Sequence, residues 1–227
     1  MIRTPHPWSY SGLNMFVTCP AQYHAVKVLK TAADIPGDAA RFGVYIHKQF
    51  ELRLECGNLL PADIAHHEPV MQELAARPGS KHFELRVALD KTTQPSEFFA
   101  RNVWSRGVID YLSVDNTVAY IVDYKTKKKV PTPDQLALCS LFVFAKYPAV
   151  QQCETWYYMT QHSPTAQPAW HTFRREEIPL LWARFIPNLK QYAEAYRTDT
   201  WQPRPSGLCF GWCPVKQCDH WRPKRDR

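Results

Sequence analysis

Glycine is scarce in this chain, with eight residues against nineteen prolines. That balance excludes a flexible glycine-rich linker and a collagen-like repeat, and it implies many rigid turns. No apolar run reaches about 18 residues, so no transmembrane helix and no membrane partner are expected. The opening residues MIRTPHPWSYSG lack the apolar core of a secretion signal, which makes the cytoplasm the expected location. Internal repeats and low-complexity tracts are missing too. So is any recognisable base-reading module such as a zinc-finger helix or a helix-turn-helix. The remainder is ordinary globular composition, 45% hydrophobic and 22% charged over 227 residues. This excludes a largely disordered chain and points to one large domain, or one domain with a small appendage.

Acidic residues are the minority charge. Lysine and arginine number 28 against 21 aspartates and glutamates, a formal net charge of +7. A basic balance suits a polyanionic partner, and an aromatic content of 13%, with eight tryptophans, provides rings for a core or for stacking on bases. The seven cysteines sit in a chain expected in a reducing compartment, so core or ligand roles precede disulfides. Cys56, Cys139 and Cys153 stand in apolar surroundings and read as core residues. Cys209, Cys213 and Cys218 crowd together in GLCFGWCPVKQC, and Cys19 lies far away in FVTCPAQY.

Periodicity divides the chain into helices, three strands, a helix, two strands, a helix and a tail. Residues Ser11–Lys30 read as helical, capped by Ser9 or Ser11 and interrupted by Pro20. Asp38–Cys56 is a stronger helix, with Phe42, Tyr45, Phe50, Leu52 and Leu54 as apolar positions and Gly57 as its stop. A third helical piece spans Pro61–Ala76. Strands are expected at Phe83–Leu89, Val103–Val114 and Thr117–Thr126, the last two joined by a hairpin turn at Asp115–Asn116. Thr132–Pro133 opens a helix running to about Lys146. Glu154–Thr160 and Ala169–Phe173 follow as strands, then Glu176–Arg197 as one amphipathic helix. The tail Trp201–Arg227 is proline-rich and basic. The order is that of an α/β protein with a mixed sheet flanked by helices.

Asp123 and Lys125 are two residues apart, so they share one face of their strand. Pairing through the hairpin brings Asp110 close to Asp123. Two converging carboxylates suit a hard divalent cation, Mg²⁺ or Mn²⁺. A lysine beside them suits the orientation of an attacking water or the stabilisation of phosphorane-like charge. The same spacing equally describes a surface salt bridge. Gly43, His47 and Glu51 follow at steps of four and share one helix face. His47 is a candidate nitrogen ligand and Glu51 a candidate orienter of it, or His47 is a hydrogen-bonded histidine at a helix–sheet interface. Glu84, on a strand, is either a supporting acid of the site or a solvated one.

These residues together resemble the PD-(D/E)XK nuclease superfamily. The resemblance rests on G-x-x-x-H at Gly43–His47, an acidic strand around Glu84, G-x-x-D at Gly107–Asp110, D-x-K-T at Asp123–Thr126 and a helical Gln135, in order across roughly residues 9–220. The match is to the RecB/AddB-like branch, which includes CRISPR-associated iron–sulfur exonucleases and phage-encoded relatives. It implies a restriction-endonuclease-like core in which His47, Asp110 and Asp123 bind metal and Asp110, Asp123, Lys125 and Gln135 form the catalytic set. The branch carries a tyrosine four residues after the glutamine. Here that position is Cys139.

The same resemblance assigns the cysteines. Cys19-Pro20-x-x-Tyr23 is similar to the branch's N-terminal signature and Cys209, Cys213 and Cys218 to its C-terminal triplet. Together they imply a 4Fe–4S staple clamping the two chain ends, with structural Zn²⁺ as the alternative for four thiolates. The implied layout is a single domain over 1–227, with 1–35 and 198–227 forming the staple and 36–197 the catalytic core. Lys127, Lys128 and Lys129, like the basic end Arg222, Lys224, Arg225 and Arg227, suit sequence-independent phosphate contacts or a solvated surface. The resulting expectation is a metal-dependent deoxyribonuclease, a stand-alone exonuclease of phage or cellular recombination and repair. Its partners would be DNA and a recombination or single-strand-annealing protein. The alternatives are a CRISPR spacer-processing nuclease and, from a different class, a non-catalytic DNA-end-binding iron–sulfur protein.

Overall fold

Helix starts and stops follow local chemistry closely. In the computed structural model, which describes residues 5–33 and 37–224, the Ser9 hydroxyl accepts from the Gly12 N–H at 3.2 Å and caps helix α1, Tyr10–Thr18. Cys19 breaks the helix in extended conformation, and Pro20 opens α2, Pro20–Tyr23, which runs on as a π-turn to Val28. Helix α3 spans Asp38–Cys56 and closes at Gly57. Its buried positions are Ile46 and Phe50, while Phe42 is exposed. Cys56 is exposed as well. The expectation of a core thiol fails there because the last turn of α3 lies beyond its buried stripe. Cys139 and Cys153 are buried as expected. The third helical piece begins as a 3₁₀ turn, Ala62–His67, and becomes α4 at Glu68–Ala76.

Five strands form one mixed sheet in sequence order: β1 Ser80–Asp90, β2 Val103–Asp115, β3 Val118–Lys125, β4 Gln152–Met159 and β5 His171–Arg174. Only β3 and β4 pair in parallel, joined by the crossover helix α5, Asp134–Lys146. The β2–β3 turn falls on Asn116 and Thr117, one residue later than expected, with Asn116 taking φ 52°. Asparagine tolerates that left-handed conformation better than other non-glycine residues. Pro133 precedes α5 as its cap instead of forming its first turn.

The sheet is covered on one face by α3 and α4, whose Ile46, Phe50, Met71 and Leu74 pack with Tyr111, Val122, Tyr124, Trp156 and Tyr158. Helix α5 is buried at every position from Leu136 to Phe144, as a helix apolar all round must be. Gly107 allows its close approach: a Cβ there would lie 3.2 Å from the Phe142 ring.

The single helix expected over Glu176–Arg197 is two, α6 Ile178–Ala183 and α7 Ile186–Thr198. Pro187 supplies the reason. It has no N–H for the Ala183 carbonyl, and its ring would clash with that group in a continuous helix. The chain divides into two compact units, one from Gly37–Arg184 and one combining the described residues of Met1–Pro36 and Phe185–Arg227. In the second unit the Tyr23, Tyr192 and Tyr196 hydroxyls share hydrogen bonds, with Tyr23 to Tyr192 at 2.6 Å. Phe16 and Trp201 pack around them. Among the described residues, no helix is long and apolar enough to cross a membrane.

Candidate active site

The site lies where α3 meets the first three strands. Gly43 lets the helix come close, since a Cβ there would stand 3.2 Å from the Thr126 hydroxyl just past the end of β3. One turn further on, His47 reaches the sheet. Its Nε2 donates to the Tyr124 carbonyl at 3.2 Å. That leaves Nδ1 facing Glu84 Oε1 and Asp110 Oδ1, each at 3.5 Å. The carbonyl thus fixes the orientation of the ring, the usual task of a group behind a metal-binding histidine. Asp110 is anchored likewise: its Oδ2 accepts from the Tyr124 N–H at 2.8 Å and its Oδ1 faces His47. A cleft of about 550 Å³ lined by Gly43, Val44, His47, Lys48, Glu51 and Glu84 opens beside them.

Glu84 is placed by its backbone. The β1–β2 ladder pairs Phe83 with Tyr111 and Leu85 with Ile109. Glu84, between them, takes φ 46°, within a strand. For a non-glycine residue this conformation costs on the order of 1–3 kcal/mol and persists only where the surroundings enforce it. Its result is a carboxylate aimed at His47. The chosen ligand atoms of His47, Glu84 and Asp110 all lie within 4.8 Å of one another.

A second network adjoins the first. Asp123 is almost wholly buried on β3 and pairs with the Lys125 ammonium, two residues along the strand. Gln135, from the first turn of α5, donates to Asp123 Oδ1 and accepts from Lys125 Nζ at 3.0 Å. Burial raises the Asp123 pKa, the nearby Asp110 charge raises it further, and Lys125 opposes both. Burial also works against a charged His47, but Asp110 and Glu84 outweigh it and hold its pKa up at about 10. The crowded carboxylates therefore draw a proton onto the imidazole.

A profile of the PD-(D/E)XK nuclease superfamily matches residues 7–218. The chain belongs to that superfamily. Its members are metal-dependent nucleases, and the five-stranded mixed sheet flanked by helices is their fold. A search of curated proteins returned no match. Among solved structures, the chain is similar to a candidate exonuclease from Eubacterium rectale, with 15% identity, a TM-score of 0.50, and coverage of 97% of this chain and 90% of that one. It is also similar to the protein SSO0001, at 12% identity and a TM-score of 0.44, over 97% of this chain and 89% of the other.

The residues present fit a divalent ion of this PD-(D/E)XK protein. Glu84 Oε1 is buried with no hydrogen bond and only His47 Nδ1, at 3.5 Å, as a charged neighbour, a weak offset to its burial that a divalent cation would replace. Asp110 and His47 each tie one polar atom to Tyr124 and turn the other toward a shared point, with Nδ1 and Oδ1 3.5 Å apart. Of the residues singled out in the sequence, Asp123, Lys125 and Gln135 form one network, and His47 and Asp110 meet Glu84 in another. Glu51 does not orient His47, because it accepts from Lys48 at 2.7 Å; the Tyr124 backbone takes that role. Glu84 remained open in the sequence because its position depends on a backbone distortion that no motif encodes. Lys127, Lys128 and Lys129 are exposed on the segment that leaves β3.

The cysteine group lies in the other unit. Cys19 Sγ accepts from the Arg204 N–H at 3.4 Å and Cys209 Sγ from the Ser206 N–H at 3.5 Å. Burial raises the Cys213 pKa, and the nearby thiols of Cys19, Cys209 and Cys218 add to the effect. Lys224 stacks on Trp212, whereas Arg225 and Arg227 lie outside the described residues.

Proposed function

We propose that the chain hydrolyses DNA phosphodiester bonds from ends, as an exonuclease of the RecB/AddB-like branch acting in phage or cellular recombination beside an annealing or recombination protein. The observation that carries this reading is the adjacency of two side-chain groups, His47–Glu84–Asp110 and Asp123–Lys125–Gln135. The first would hold Mg²⁺ or Mn²⁺, with Asp123 as the acid shared between the groups. Carboxylates with one imidazole suit such ions. Bound there, the ion would acidify water and offset charge on the phosphate. Lys125, steered by Gln135, would orient the attacking water or receive developing negative charge. Lys127, Lys128 and Lys129 would hold the phosphates of the DNA without reading bases.

Cys19, Cys209, Cys213 and Cys218 would ligate a 4Fe–4S cluster. Structural Zn²⁺ is the alternative that four thiolates would also hold.

The test uses end-labelled linear plasmid and its covalently closed circle, with Mg²⁺, Mn²⁺ or chelator. Linear DNA should be degraded and the circle spared, and Asp110→Asn or Asp123→Asn should abolish cleavage while DNA binding survives. Equal attack on both forms at a defined sequence would overturn the exonuclease reading. Full activity in either variant would overturn the site.

A further inference from the structure

Strands β1 and β2 outrun the rest of the sheet. The β2–β3 ladder covers only Tyr111–Asp115 of β2, whereas pairing with β1 extends back to Val103. Residues 85–90 and 103–109 therefore form a two-stranded arm that continues past the site for about 20 Å at 3.4 Å per residue. Its back is covered, with Phe142 against Gly107. Its front carries exposed Arg86, exposed Val108 opposite it, and half-buried Arg106.

The loop at the end of the arm presents an aromatic platform. Phe98 lies beneath both guanidinium groups, 5.7 Å from Arg86 and 5.3 Å from Arg106. Phe99 stands edge-on to it at 5.0 Å and is 75% exposed. The loop is tied at both ends: Asp90 Oδ1 accepts from the Thr92 and Gln94 N–H groups, Ser96 N–H donates to the Ala88 carbonyl, and the Ser96 hydroxyl donates to Asn102. Neither Arg86 nor Arg106 has a carboxylate partner among the described residues. An exposed ring on a braced loop, with unneutralised guanidinium groups along the strands behind it, has the chemistry of a single-strand track. Cations there hold phosphates, and rings stack on unpaired bases.

We propose that the front of this arm binds single-stranded DNA adjoining the cleavage site. A base would stack on Phe99, and Arg86 and Arg106 would contact the phosphates between that base and the metal ligands. The inference rests on the nuclease reading for its polarity, since Arg86 is two residues from Glu84 and Val108 two from Asp110. Commitment to a single strand follows from the ring, because bases within a duplex offer no free face to it.

The test is fluorescence anisotropy of labelled oligo(dT) and of a blunt hairpin duplex, in Ca²⁺ or chelator and across a salt series, alongside cleavage of linear DNA. Phe99→Ala should weaken oligo(dT) binding about 5- to 150-fold and affect the duplex much less. Phe99→Trp should restore binding. Arg86→Gln with Arg106→Gln should flatten the salt slope by about 1.4, at roughly 0.7 per phosphate lost for single strands. Circular dichroism checks that each variant is folded. Unchanged affinity and slope in a protein that cleaves DNA would overturn the track and leave the nuclease reading intact. Oligo(dT) binding that needs Phe99, in a protein that cleaves nothing with any divalent ion, would uphold the track and remove the nuclease reading.

Discussion

Glu84 concentrates strain and electrostatic conflict in one residue. Its φ of 46° and its buried oxygen without a hydrogen bond are both unfavourable for folding, and the pairing with His47 at 3.5 Å offsets them only in part. Glu84→Gly should therefore leave the fold as stable as the parent, or up to about 1 kcal/mol more so. Cleavage should fall to background. Urea unfolding and a cleavage assay together check this, and a large loss of stability would mean that Glu84 supports the fold. His67 carries a second residue-scale prediction. It is buried, with its Nδ1 hydrogen-bonded to the Tyr158 hydroxyl at 2.6 Å. Burial, and then the neighbouring His66, hold its pKa down at about 4. The unfolded chain takes up that proton near pH 6.5, earlier than the folded one. Stability should therefore fall as pH drops from about 6.5 to 4, by at most on the order of 3 kcal/mol from this group, and no further below that. His67→Phe should cost about 1 kcal/mol at neutral pH through the lost hydrogen bond and flatten the decline. Urea midpoints at several pH values measure both effects; an unchanged slope would assign acid sensitivity elsewhere.

Helix α5 and strand β2 fit each other through a missing side chain. Gly107→Val would place a branched Cβ where only about 3.2 Å separates it from Phe142. The overpacking should cost about 1–3 kcal/mol, and Phe142→Leu should recover part of it in the double variant. Additive losses in thermal or urea unfolding would show that the two positions do not conflict. The boundaries of α3 were legible in advance because Asp38 and Gly57 act locally, and so was the shared face of Asp123 and Lys125, which follows from the two-residue repeat of a strand. The break between α6 and α7 was also signalled, by Pro187, although the apolar pattern ran across it. The distortion at Glu84 was not legible. It arises where strand pairing, His47 and Asp110 meet, and none of these contacts is local in sequence. Cys56 misled because Leu54, two residues before it, packs on the core, while Cys56 itself falls in the last turn of the helix, beyond the buried stripe of Ile46 and Phe50.

The unit that carries the sheet is an insertion between the two halves of the other unit. If Cys19 and the Cys209–Cys218 group share a cluster, that cluster closes a loop of about 190 residues. A link of that span restricts the unfolded chain by on the order of 5 kcal/mol in the chain-entropy account. Protein purified without oxygen should then be brown, with iron and acid-labile sulfide. Cys19→Ser should be colourless and markedly easier to unfold. A colourless parent containing zinc would replace iron and keep the link, whereas a parent with neither metal and unchanged stability in Cys19→Ser would remove it. The insertion also orders events on the ribosome. Phe16 and Tyr23 emerge early, yet the rings that shelter them, Tyr192, Tyr196 and Trp201, are about 170 residues away. At roughly 5–20 residues per second, the first helices wait on the order of 10–30 s with an apolar face bare while the sheet is completed. Chaperones that bind exposed aromatic segments have that interval in which to act, and a chain cut short before Tyr192 leaves the face permanently uncovered.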